Sequence, residues 1–165
     1  MDWSQSVVLF LHIAGGAIWL GASVFANAVL LPYISRQPLD RRRELIGSLV
    51  LGPERVIIAG ALLAAVSGLA LGVGYAGIRS PDALATTYGI VWLASVVVAL
   101  SVFAVGGGLT SPAARALRDD ATLWSGEAGS TARVAALTTR MRTGFRLELA
   151  GIVIVLGLMV ILAAI

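Results

Sequence analysis

The sequence predicts an all-α fold, a four-transmembrane-helix bundle, and three observations predict it. Of its 165 residues, 58% are hydrophobic and 13% charged, whereas a soluble domain carries about 25% charged residues. Four apolar runs are each long enough to cross a bilayer, which takes about 20 residues of helix. All but one of the 12 basic residues lie in or beside the two connections on one side of those runs; the exception is Arg79. Mean hydropathy is +0.92, so the chain cannot cover itself with polar surface. The length suits one transmembrane domain over residues 1–165, with no separate soluble domain.

The first helix is expected over Ser4–Tyr33. Trp3 stands where an interfacial anchor belongs, and Ser4 can cap the first turn. Ala26-Asn27-Ala28 fits a signal-peptidase pattern, but the segment before it has Asp2 and no arginine. Its apolar run is also too long, so it reads as a mature helix. Pro32 marks the inner end. The loop after it holds Arg36, Arg41, Arg42, Arg43 and Arg55. Within it, Leu39–Leu51 is weakly amphipathic, with Leu45, Ile46, Leu49 and Val50 on one side, and is expected to lie on the membrane surface.

The second helix is expected over Arg55–Ile78. Gly60, Ala64, Gly68 and Gly72 repeat at four-residue spacing, which lets another backbone come close. Helix packing is the favoured reading of that stripe; room for a flat cofactor is the other. After a short turn at Arg79-Ser80-Pro81-Asp82, the third helix is expected over Thr86–Val105, closing at Gly106-Gly107-Gly108. It contains Gly89-Ile90-Val91-Trp92-Leu93, an echo of Gly16-Ala17-Ile18-Trp19-Leu20 that reads as chance. Ser111-Pro112 then starts a short interfacial helix over Ala113–Trp124. A flexible break is expected at Ser125-Gly126-Glu127-Ala128-Gly129. Ser130 caps a last helix running unbroken to Ile165, whose first turns carry Arg133, Arg140 and Arg142.

The arginine asymmetry places both termini on the extracytoplasmic side and both long connections in the cytoplasm. The chain has no lysine and no cysteine. Arginine alone as the basic residue suits a GC-rich bacterial genome and hence a bacterial inner membrane. Absence of cysteine excludes disulfides, thiolate metal sites, iron–sulfur clusters and a cysteine nucleophile. The pI near 10.2 does not indicate nucleic acid, because the arginines flank membrane segments. Phosphate-binding, zinc-protease and Ser–His–Asp templates are all missing, so the chain reads as a non-enzyme.

The one histidine is the leading candidate for chemistry. On a helix, His12, Gly15, Gly16, Trp19, Ser23, Ala26 and Asn27 fall on one face. At 1.5 Å per residue from Trp3, His12 lies about 13 Å deep. An imidazole at that depth is expected to face protein. It is either hydrogen-bonded to another helix or a ligand to haem b or copper, with Gly15, Gly16 and Trp19 around it. Met159, at broadly similar depth on the last helix, would be the second metal ligand. Glu148 is expected to form an ion pair with Arg55 or Arg146 that fixes helix register; the sharper alternative is a point where protons enter.

Leu11-His12, the small residues after it and Trp19-Leu20-Gly21 resemble the first helix of a broad group of bacterial membrane proteins. These include the CopD copper-resistance domain, the HemJ-type protoporphyrinogen oxidases and a small four-helix family of unknown function. The last is also similar where Gly52-Pro53 leads into a run containing Ser67-Gly68. The resemblance covers the first half of the chain and implies copper or haem binding at His12 alone. HemJ-type proteins carry further histidines and a lysine, which this chain lacks, so the likeness does not imply oxidase activity. Two functions follow from the sequence. One is an accessory or structural subunit that packs against other membrane subunits or its own copies in the lipid bilayer. The other is a haem- or copper-binding redox or transport protein using His12.

Overall fold

The computed structural model describes residues 2–125 and 129–165. Residues 126–128, within the expected flexible break, lie outside the described residues. Every regular element described is helical. Four helical runs are long and apolar enough to cross a membrane: Trp3–Ser35, Arg41–Tyr75, Thr87–Asp119 and Ser130–Ala164. They are called here the first to fourth spans. The chain is therefore all-α with the composition of a multi-pass membrane protein.

The residues divide into two compact units. One comprises the chain up to Gly21, Val56–Ser101 and Ala150–Ile165; the other comprises Ala22–Arg55 and Val102–Leu149.

In the first unit, the small-residue stripe of the second span organises the packing. Gly15 lies against it so closely that a Cβ there would stand 2.6 Å from the Gly60 carbonyl oxygen and 2.7 Å from the Ala64 nitrogen. Backbone approaches of this kind replace the hydrophobic effect as the adhesive between helices in lipid. Ile18 fills the space above Gly60, the His12 ring that above Gly68, and the Trp92 indole that above Gly72. The second span ends in a wide π-turn, Leu71–Tyr75. Arg79 closes that end by donating to the carbonyls of Val73 and Gly74 at 2.8 and 2.9 Å, a cationic cap on otherwise orphaned acceptors. Gly77, at φ 74°, makes the left-handed step that a residue with a Cβ resists. Ser80 then caps the short helix Pro81–Leu84 through the Ala83 N–H.

The second unit corrects two expectations. The helix Leu39–Leu45, with its continuation Ile46–Val50, turns part of its apolar side into protein, with Leu49 left 43% exposed. Ile46 and Val50 are buried, Ile46 to 2% exposure, with Leu117 at 0%. Leu30, Leu31, Ile34, Ala113, Ala114, Leu123, Val134 and Met141 complete the same core. Amphipathicity identifies a buried face but cannot say whether lipid or protein covers it. The third span, moreover, does not close at its three glycines. It continues through a π-turn, Gly106–Thr110, into the helix Ser111–Asp119. The first span continues past Pro32 in the same way, through the π-turn Ala26–Leu30. In both, the residue just before the proline donates to the fifth residue back: Leu31 to Ala26 and Ser111 to Gly106. A proline ring clashes with the carbonyl four residues earlier in a regular α-helix; the wider turn gives it room.

Beyond Asp119 the chain turns at Asp120, whose carboxylate accepts from the Thr122 N–H at 3.0 Å and starts the 3-10 turn Ala121–Trp124. Asp120 lies outside the spans. Its carboxyl is held below the ordinary carboxylate range by the Thr122 hydroxyl first, then by the Thr122 amide and Arg133. Arg133 pairs with it at 3.0 Å.

Candidate functional site

His12 stands half-buried on the first span. Its Nδ1 lies 2.8 Å from the Ala64 carbonyl oxygen, with Ser67 Oγ at 3.4 Å. A carbonyl only accepts, so Nδ1 carries the hydrogen of this bond and Nε2 is the ring nitrogen left outside it. Ser67 itself donates to the Leu63 carbonyl at 2.5 Å. The absent side chain of Gly68 seats the imidazole: a Cβ there would stand 2.9 Å from Cε1 and 3.3 Å from Nδ1. One turn on, Trp92 Nε1 donates to the Gly68 carbonyl at 3.5 Å while its indole occupies the space over Gly72. The flat groups that the glycines accommodate are thus two rings of this chain.

The other residues of the first-helix face separate. Gly15 makes the close approach already described. A side chain at Gly16 would meet nothing within 4 Å, since successive helical positions turn by about 100°. Trp19 is buried, at 9% exposure. Met159 is half-buried on the fourth span. Ser23 is 6% exposed, and its hydroxyl has no partner among the described residues. Asn27 bridges two spans, its Nδ2 donating to the Ser23 and Phe145 carbonyls, each at 2.9 Å.

Copper and haem can be tested against these donors. Among the described residues, no three of His, Asp and Glu come together as a metal site would need. His12 offers one nitrogen, Nε2, and Gly68 is filled by the imidazole itself.

Glu148 departs from its expected pairing. Among the described residues it has no arginine at ion-pair distance; the bridges present are Arg115–Glu54, Arg118–Asp119 and Arg133–Asp120. Its Oε1 instead accepts from the Thr110 hydroxyl. Thr110 is buried and closes the Gly106–Thr110 π-turn. One glycine makes the contact: Thr110 Oγ1 occupies the space where Gly144 lacks a side chain, while a Cβ on Gly106 would meet the carboxylate only in ordinary contact, at 3.6–3.9 Å. Sequence reading missed Thr110 altogether. The available signal was spacing: Gly144 and Glu148, like Gly106 and Thr110, lie four apart and share a helix face.

No known protein family, curated protein or solved structure matches this chain.

Proposed function

We propose that this chain is a non-enzymatic membrane subunit whose spans pack against other membrane proteins or further copies of itself. The observation that carries this reading is a set of glycines that the chain's own packing does not use. Side chains at Gly16 and Gly21 on the first span and Gly157 on the fourth would meet nothing within 4 Å. Glycine inside a helix is disfavoured by about 1 kcal/mol against alanine. Gly15, Gly60 and Gly68 offset that loss through close contacts within the chain. Gly21 and Gly157 are exposed, and what they gain comes from a neighbouring helix that approaches where they leave room. The interior polar groups of the first unit support the same reading. His12 and Trp92 bond across to the Ala64 and Gly68 carbonyls of the second span, which locks helices together, while Ser67 and Ser95 donate to carbonyls four residues back on their own helices. The arginine distribution favours a bacterial inner membrane, with the arginine-rich connections in the cytoplasm and the termini outside.

A photo-crosslinking residue at Ala17, one turn before Gly21, tests this in intact membranes. A discrete protein adduct is expected, with Gly21→Leu abolishing it while the protein keeps its helicity and elution in detergent. Lipid adducts alone, or an adduct indifferent to Gly21→Leu, would overturn the reading.

A second reading, haem b or copper on His12, has one observation in its favour. The Nδ1–H to carbonyl bond is the arrangement that orients a ligating imidazole and leaves Nε2 free. The second ligand would be Met159 or a residue of another chain. A Soret band in the purified protein that vanishes in His12→Ala would establish it; a protein without visible absorption and without bound copper would remove it.

A further inference from the structure

The geometry points to a proton-binding site built by Glu148 and Thr110 inside the membrane-embedded part of the chain. The carboxyl sits on the fourth span where Arg140, Arg142 and Arg146 give way to the apolar run 149–165, and intramembrane carboxyls are costly enough to mark function. Among the described residues no arginine lies within ion-pair distance of it. On its own helix the neighbours one turn away are Gly144, Phe145, Gly151 and Ile152. From the third span it faces Gly106 and Thr110. From the first span, Asn27 ends on the Phe145 carbonyl. Arg140 is committed to the Gly108 carbonyl at 3.2 Å, and Arg146 is exposed.

The one direct partner is suited to both protonation states. A threonine hydroxyl donates to a carboxylate and accepts from a carboxylic acid, so Thr110 can serve Glu148 before and after it takes up a proton. A group with a purely structural task here would be better as glutamine, which makes the same hydrogen bond without the desolvation of a charge. Glutamate adds the ability to release a proton. Gly106 places no side chain beside the carboxyl oxygens, and the next two residues, Gly107 and Gly108, are exposed. Among the described residues the carboxyl's side-chain hydrogen-bond partner is the Thr110 hydroxyl, and one such oxygen suits a proton better than a metal cation, which takes six or so oxygen ligands.

The test is labelling by dicyclohexylcarbodiimide, which partitions into lipid and reacts with protonated carboxyls. The acid's proton moves to a carbodiimide nitrogen while its oxygen adds to the central carbon. The acyl group then migrates to nitrogen, leaving a stable N-acylurea from which nothing has departed. Full-length protein in phosphatidylcholine liposomes would be labelled across roughly pH 5 to 9 and Glu148 quantified by mass spectrometry, a range chosen to cover shifted carboxyls. Glu148 is expected to be modified at the acid end and to lose at least about tenfold in labelling as it ionises. Thr110→Val removes the donor that favours the ionised form, so its labelling should persist to higher pH; Thr110→Ser should restore the original profile. Glu148→Gln should abolish the adduct while keeping helicity and elution. The proposal is overturned if Glu148 is unlabelled throughout, if its labelling ignores pH, or if Thr110→Val leaves the profile where it was. It is also overturned if sodium chloride protects and choline chloride does not, because the ligand is then a metal cation.

Discussion

Gly68→Ala is the most discriminating single change in the first unit. The added methyl would stand 2.9 Å from His12 Cε1 and 3.3 Å from Nδ1, and the imidazole cannot swing away without breaking its 2.8 Å bond to the Ala64 carbonyl. Overpacking of this kind costs about 1–3 kcal/mol. Loss of a hydrogen bond between membrane helices adds about 0.6 kcal/mol. Alanine's better helix propensity returns up to about 1 kcal/mol. The net expectation is a loss of about 1–2 kcal/mol, measured by unfolding the detergent-solubilised protein with increasing sodium dodecyl sulfate. Gly16→Ala serves as the control: its methyl meets nothing, so stability should hold or rise slightly. The decisive measurement is the double mutant. Without the imidazole the methyl has space, so His12→Ala with Gly68→Ala should be about 1–2 kcal/mol less damaging than the sum of the singles. Additive effects, or a Gly68→Ala as benign as Gly16→Ala, would refute the seating of the ring on Gly68.

Other expectations follow from the second unit and the loops. Leu117→Ala, at a fully buried position, should destabilise by about 2–5 kcal/mol, whereas Leu39→Ala, at 48% exposure, should be nearly silent; both are read in the same unfolding assay. Cysteines introduced at the exposed Ser80 and Ser125 should react with an impermeant maleimide from opposite faces of the membrane, Ser80 from outside. Reaction of both from one face contradicts the span count or the orientation. Asp120 should titrate below the ordinary carboxylate range, followed by NMR through the Thr122 amide. Thr122→Val should raise the midpoint more than Arg133→Gln, because the hydroxyl is the larger cause. A depressed folded value means that this turn is favoured above the unfolded carboxylate range and that the contribution is lost as pH falls through the folded one.

The four spans were legible because apolar length needs no tertiary information: a run the bilayer can accept announces itself. The stripe Gly60, Ala64, Gly68 and Gly72 was likewise readable as a seam, since four-residue spacing fixes a face. What filled the seam was not readable. Trp92 reaches Gly72 from a helix whose register no local pattern sets, so its echo of the Trp19 segment said nothing of its partner. Pro112 and the three glycines before it read as a boundary, yet the helix crosses them because a single wide turn relieves the ring clash. The helix after Pro38 showed an apolar side, and a lipid surface and a protein core demand the same pattern. Glu148 was noticed for its depth, but its partner was sought among arginines. Thr110, short and uncharged, carries no signal until the helices are side by side.

The paired wide turns before Pro32 and Pro112 bear on how such a chain can change over time. Each turn holds one residue more than an α-helical turn would, so it behaves as an insertion absorbed inside the helix. The residues beyond it are rotated by about 100° relative to an uninterrupted count, one position's worth at 3.6 per turn. In the first span the buried positions run Gly15, Trp19 and Ser23 before the turn, Ala26 and Leu30 within it, and Leu31 and Ile34 after it. Sequence drift on one side of such a turn need not preserve the phase on the other. The lipid-adapted and arginine-rich halves of a single helix are then free to diverge under separate constraints while the backbone between them stays continuous.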